Sequence, residues 1–246
     1  HFEMARPSLL ARGPKRLAAS VELELGLLAF AANDYASAED RLHTARGLWL
    51  DLGSLPLAAR TLSRLGDIAR ITGRRDEAQA LLDQALDEAR AVSDVALEAQ
   101  TQCSRGDLAR LTSRYPEAAQ AFTAALDLAA QERIPEVHVR ACIGLSSVKR
   151  VAGNTVAAGR LLDDAAAVAA VQADHRGGAN ARLALASLAR LRGDGAACVR
   201  LLDSAQSLAA NDGYDLGLSN VAHGMAAWAL DAGDAREADA QLRLAE

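Results

Sequence analysis

Aromatic residues, prolines and lysines are all scarce in this sequence. Aromatics make up 3% of the 246 residues and prolines number five, which disfavours sandwiched or barrelled sheets, whose strands draw heavily on aromatic and β-branched side chains. Half of the residues are nevertheless hydrophobic, so the core must be built mainly from Ala and Leu, the side chains of closely packed helices. The three cysteines Cys103, Cys142 and Cys198 are odd in number and form no CxxC pair, which argues against a disulfide framework or a zinc ribbon. Lys15 and Lys149 are the only lysines, and every other basic side chain is Arg, a planar fork suited to carboxylate or phosphate. A formal charge of −5 gives no reason to expect nucleic acid or an anionic membrane as a partner. There is no run of 18 apolar residues and no charged-then-apolar leader, so a cytosolic location is the default expectation. No GxxxxGK[ST] string occurs, and no cofactor is expected.

What the sequence has is a repeat. Asn33, Gly73, Ser113, Gly153, Gly193 and Gly233 are spaced by 40 residues, as are Ala38, Ala78, Ala118, Ala158, Cys198 and Ala238. Ala45, Ala85, Ala125, Ala165, Ala205 and Ala245 form a third column, and Leu42, Leu82, Phe122, Leu162, Leu202 and Leu242 a bulky fourth. In the second unit Leu62, Leu65, Ile68 and Ala69 recur at helical spacing before Gly73, and Ala78, Leu82, Ala85 and Ala89 resume it afterwards. That pattern is a helix, a tight turn and a second helix. Gly73 and its equivalents suit a left-handed helix C-cap, for which Asn33 is the next best residue and Ser113 a weaker one. Longer connections are expected between units, at 51–54, 92–94, 134–135, 174–178 and 211–217, from their Gly, Pro, Asn and Asp content. Gly193-Asp194-Gly195 sits at one of the caps and is read as a turn, not a nucleotide loop.

Inside the first helix of each hairpin a small residue recurs: Gly26, Gly66, Gly106, Ser146, Ala186 and Ala226. Glycine in a helix interior costs about 1 kcal/mol against Ala, so these positions predict close approach by another helix. Leu28, Ile68, Leu108, Val148, Leu188 and Trp228 form an apolar column assigned to the core, and Trp49 is assigned there too.

These columns resemble the tetratricopeptide repeat, through Leu25, Gly26, Ala38, Leu42 and Ala45 and again through Leu65, Gly66, Ala78, Leu82 and Ala85. The period is 40 where the family standard is 34, and the family's closing Pro and first-helix aromatic are missing. Longer-period variants resemble the helical sensor regions of large bacterial regulators, LuxR-type activators with a signal-transduction ATPase core among them, and kinesin light chains. The resemblance implies an all-α, right-handed superhelical solenoid of about six helix-turn-helix repeats. These would span about 15–54, 55–94, 95–134, 135–174, 175–214 and 215–246, after an N-terminal extension over 1–14 in which His1, Phe2 and Glu3 precede Met4 as an expression leftover. Arg105 and Lys149 break the apolar and small-residue columns in repeats three and four.

In such arrays the side of the first helices away from the core lines a concave groove. Wound at 100° per residue, that side carries Arg60 and Arg140 with Asn180 and Asn220 in one column, and Leu23, Ser63, Cys103, Ile143, Leu183 and His223 in the next. Leu27, Asp67, Asp107 and Ser147 follow, and then Phe30, Arg70, Arg110, Arg150 and Arg190. The arginines would form a ladder able to grip carboxylates or phosphates through charge-assisted forks, with Asn180, Asn220 and His223 as further contacts. An equally weighted alternative pairs Arg70 with Asp67 and Arg110 with Asp107 one turn earlier, leaves the other arginines solvated, and has nothing bound there. His43, His138, His175 and His223 show no ligand spacing, so no metal site is expected, and Cys103 is read as an inert small residue.

The expectation is therefore a non-enzymatic recognition module, part of a larger bacterial transcription regulator, binding a protein segment or a small acidic effector in the groove. The alternative is a scaffold that associates through exposed repeat ends, with homo-oligomers as a consequence. The groove shows no nucleophile–base pair, which places catalysis third. The last hairpin stops within its second helix without a polar cap, which favours either a longer parent chain or self-pairing.

Overall fold

A computed structural model describes residues 14–245; the reading of residues 1–14 as an extension lies, Pro14 apart, outside the described residues. Among the described residues there are twelve helices and no strands: α1 Lys15–Ala31, α2 Tyr35–Asp51, α3 Leu55–Ile71, α4 Arg75–Ala91, α5 Val95–Leu111, α6 Tyr115–Glu132, α7 Pro135–Val151, α8 Thr155–Val171, α9 His175–Leu191, α10 Gly195–Asn211, α11 Asp215–Asp231 and α12 Ala235–Ala245. They fall into two compact units whose boundary along the chain lies in α6, one ending at Ala124 and the other beginning at Ala125.

One device joins all the helices. At each of the eleven connections the N–H two residues past the helical C-cap bonds the carbonyl five residues earlier at 2.8–3.0 Å, as in Arg74 to Ala69, Asp94 to Ala89 and Asp174 to Ala169. This is the Schellman closure, which requires a left-handed residue just before the donor. That residue is the predicted column Asn33, Gly73, Ser113, Gly153, Gly193 and Gly233 within hairpins, and Gly53, Ser93, Arg133, Ala173 and Gly213 between them, all at φ between 54° and 81°. The donor residue is then the N-cap of the next helix: Asp34, Asp94, Asn154, Asp174, Asp194 and Asp234 each accept from the N–H three residues on, which satisfies an orphan donor of the new helix.

The longer connections expected between hairpins are thus a correction. Links between hairpins are as short as links within them, and the 40-residue repeat is built from two turns of the same design. Gly177, Gly178 and Gly217, read as loop, lie in the first turns of α9 and α11. Gly177 is held there because a Cβ would run into the Asp174 cap and Val139, and Gly217 because one would run into the Tyr214 ring.

Ala173 is an exposed non-glycine residue at φ 54°, a conformation that costs an L-residue about 1–2 kcal/mol. Ala173→Gly should stabilise the protein by about 1 kcal/mol after glycine's greater unfolded-state entropy is subtracted. A rise in the thermal midpoint is expected; no change or a fall contradicts the strain.

In the first unit the core is a series of clusters linking each hairpin to the next. Ala38 and Leu42 of α2 pack on Leu65 and Ile68 of α3, and Ala69, Ala78 and Leu82 pack on Leu108 of α5. The small-residue column does what its glycines require. A Cβ on Gly26 would stand 3.0 Å from the Leu42 side chain, on Gly66 2.7 Å from Leu82, and on Gly106 2.8 Å from Phe122. The second unit repeats the plan through Ala158, Leu162 and Leu188, and through Cys198, Leu202 and Val221, against which Trp228 packs. Trp49 is buried as expected.

Leu28 departs from its column and is 60% exposed. Ile68, Leu108 and Leu188 are covered by the second helix of the preceding hairpin, and α1 has no such helix before it among the described residues.

Candidate functional site

The first helices of the first unit, α1, α3 and α5, present a cavity of about 380 Å³. Leu23 and Leu27 of α1, Leu57 of α3 and Leu97 of α5 give it apolar walls, while Glu24, Arg60, Ser63, Arg64 and Gln100 supply the polar groups. The face is the one predicted from helical winding, and Arg60 is the nominated residue that lines it.

The arginines there are held by carboxylates. Arg60 donates from Nε and Nη2 to Asp94, at 3.3 and 3.1 Å, while its side chain stays 56% exposed. Arg64 lies 3.7 Å from Asp67. Asp94 is also the N-cap of α5, so the helix terminus and Arg60 are positioned by one side chain. A guanidinium that is oriented but still wet can accept a ligand carboxylate at small reorganisation cost.

One column is partly withdrawn from the open side. Cys103 is fully buried and Ser63 keeps only 6% of its surface, at the cavity, because adjacent first helices touch: the Ser63 and Thr101 hydroxyls lie 3.2 Å apart in the seam between α3 and α5. Leu23 belongs partly to the core for the same reason, packing on both the Trp49 and the Leu42 clusters.

The remaining nominated residues are placed as follows. Arg70, with a side chain only 15% exposed, bonds Asp67 at 3.3 Å, and Arg110 lies 3.7 Å from Asp107, which is the one-turn pairing weighed as the alternative. In the second unit Arg190 meets Asp231 at 2.6 Å, Arg150 is exposed at the end of α7, and Arg140, Asn180 and Asn220 are half-buried. His223 is exposed, with its Nδ1 2.8 Å from the Ser219 carbonyl. Leu57, Leu97, Glu24 and Arg64 were not nominated. A signal for the two leucines was present, since Leu17, Leu57, Leu97 and Val137 form an apolar column that turns to glycine at Gly177 and Gly217.

Histidine spacing alone also missed a second constellation. His138 and Cys142, one turn apart on α7, meet Asp164 of α8. All three cysteines are buried, and burial pushes the Cys198 thiol above its ordinary value.

The tetratricopeptide repeat family model matches residues 17–87 and 57–131, and the helical hairpins described above have the fold of that repeat. The chain is similar to the apo form of RapI (13% identity, 99% of this chain and 87% of that one, TM-score 0.78). It is also similar to the Rap conjugation gene regulator of the plasmid pLS20, solved in complex with the Phr* peptide (16% identity, 99% of this chain and 66% of that one, TM-score 0.80). A third similar structure is a kinesin light chain with nearly identical TPR-like repeats from Podosopora anserina (18% identity, 82% of this chain and 98% of that one, TM-score 0.58). Curated protein sequences gave no match. No helix among the described residues is long and apolar enough to cross a membrane.

Proposed function

We propose that the chain is a recognition module that binds a short protein segment on the first-helix face, with the cavity between α1, α3 and α5 as its anchor point. The observation that carries this reading is the cavity's composition: four leucines around Arg60, Arg64, Ser63 and Gln100, with Glu24 as the one acid. Pockets that hold a ligand side chain combine apolar walls with a few oriented polar groups. An aliphatic or aromatic side chain fits the leucines, and a carboxylate one or two residues away reaches Arg60 and Arg64. The pLS20 Rap regulator, of similar fold, is solved with a peptide, which supports the class of ligand without naming this one. The role as a sensor in a larger bacterial regulator, and binding rather than catalysis, belong to the same proposal.

The test is a library of immobilised decapeptides that vary an apolar residue and a neighbouring acid, probed with the wild type and with Arg60→Glu/Arg64→Glu. Charge reversal should weaken the best binders at least tenfold, since it replaces two attractions with two repulsions. Undiminished binding by the double variant removes the cavity as the site. A separate Arg110→Glu/Arg150→Glu variant tests the ladder, and loss there alone would move the site to it.

A further inference from the structure

We propose that His138, Cys142 and Asp164 form a binding site for a first-row divalent cation, Zn²⁺ foremost. His138 Nε2 lies 2.6 Å from Asp164 Oδ2 and 3.6 Å from Cys142 Sγ, and Cys142 Sγ lies 3.7 Å from the same carboxylate oxygen. One atom from each side chain therefore points at a common centre, all within 4.8 Å of one another.

The geometry separates a metal site from a catalytic relay. In a nucleophile–base–acid chain the imidazole joins its two partners through different ring nitrogens. Here Nε2 faces both the thiol and the carboxylate, so no proton can pass along the ring from one to the other. Converging donors are what a cation needs.

The distances suit tetrahedral coordination. Bond lengths of about 2.0 Å to N and O and about 2.3 Å to S place sulfur roughly 3.5 Å from each of the other two ligands, close to the separations observed. The same bond lengths require roughly 3.3 Å between N and O, so this pair must open by about 0.7 Å from its present 2.6 Å hydrogen bond. Asp164 has that freedom, because its side chain is 53% exposed, whereas Cys142 is buried beneath it. Imidazole, thiolate and carboxylate together favour Zn²⁺ over Ca²⁺ or Mg²⁺, which require oxygen ligands. Three protein ligands leave a fourth position for water on the exposed side.

The repeat supplies an internal control. Where this hairpin has His138, its equivalents are Ala18, Ala58, Glu98, Gly178 and Leu218; where it has Cys142 they are Glu22, Leu62, Gln102, Arg182 and Ala222; where it has Asp164 they are Thr44, Gln84, Ala124, Ser204 and Leu244. All three donors coincide in one hairpin. A bound ion would staple α7 to α8, adding its binding energy to the stability of that hairpin.

Titration of the full chain with Co²⁺ is the first experiment. The wild type should develop a thiolate-to-cobalt charge-transfer band with the visible bands of tetrahedral cobalt, both abolished by Zn²⁺, and Zn²⁺ should raise its thermal midpoint. Cys142→Ser should lose the charge-transfer band. Asp164→Ala, at an exposed position that leaves the core intact, should bind Zn²⁺ at least tenfold more weakly by calorimetry. The proposal is overturned if the wild type shows no charge-transfer band, or if Asp164→Ala binds Zn²⁺ as tightly as the wild type. Should Cys142→Ser fail to fold, the Asp164 variant still decides.

Discussion

Leu82→Ala is expected to destabilise the protein by about 3 kcal/mol, the middle of the range for emptying a well-packed leucine site. Leu82 is fully buried between its own hairpin and the next, against Ala69, Ala78 and Leu108. It also lies over Gly66, where a Cβ would come within 2.7 Å of Cδ2 and 2.8 Å of Cγ. Gly66→Ala alone should therefore be destabilising, since the overpacking cost of about 1–3 kcal/mol exceeds the gain in helix propensity of about 1 kcal/mol. In the Leu82→Ala background the obstruction is gone, and the same substitution should stabilise by about 1 kcal/mol while partly filling the cavity. Urea titrations of the two single variants, the double variant and the wild type give the coupling energy. Additive effects would show that the close contact between α3 and α4 is not what keeps residue 66 a glycine.

That contact was readable from sequence because two columns recur in step, Gly66 with its equivalents and Leu82 with its equivalents. A residue that is costly in a helix is informative when it recurs. The second turn type was harder to see. Within hairpins the left-handed position is glycine in four of six copies, but between hairpins it is Gly53, Ser93, Arg133, Ala173 and Gly213, where strain is tolerated and composition gives little warning. The Asp and Asn caps beside those positions share the 20-residue rhythm and are the better signal, because each must satisfy an orphan N–H. Leu28 shows a different limit. Periodicity identifies the face a side chain occupies, and only the neighbouring hairpin determines whether that face is covered.

The candidate site was half legible for a related reason. Winding a single helix directed Arg60 and Ser63 toward the side where the cavity lies, but it also sent Cys103 to open space, since it knows nothing of the adjacent first helix that buries it. The ion pairs of Arg70 and Arg110 follow from i,i+3 spacing and could be read directly; the bond from Arg60 to Asp94, 34 residues away, could not. His138 and Cys142 carried a readable signal, two donors at i and i+4 on one helix. Asp164 comes from α8, and only the hairpin geometry brings it to them.

Replacing Arg46 with Met should cost about 2 kcal/mol and should change how the protein responds to acid. Arg46 of α2 forms two parallel bonds with Glu88 of α4, at 3.0 and 2.7 Å, and one with the Ala58 carbonyl of α3 at 2.7 Å, tying successive hairpins of the first unit together. Removing one partner of a fully buried pair costs about 3–5 kcal/mol. The lower figure of about 2 follows because Glu88 is 29% exposed and solvent screens part of the interaction. Burial alone would raise the Glu88 carboxyl, yet the bonds from Arg46 and Gln84 outweigh it and hold it below its ordinary value. A carboxyl with a depressed folded-state pKa contributes stability that is fully present above its unfolded value, about 4.3, and is lost as pH falls through the folded value. Stability of the wild type should therefore decline below about pH 4, and that decline should be shallower in Glu88→Gln and in Arg46→Met. Denaturant midpoints measured from pH 7 down to pH 3 give the comparison. Parallel acid limbs in the wild type and Glu88→Gln would assign the acid sensitivity to other carboxylates and leave the Arg46 fork with a packing role alone.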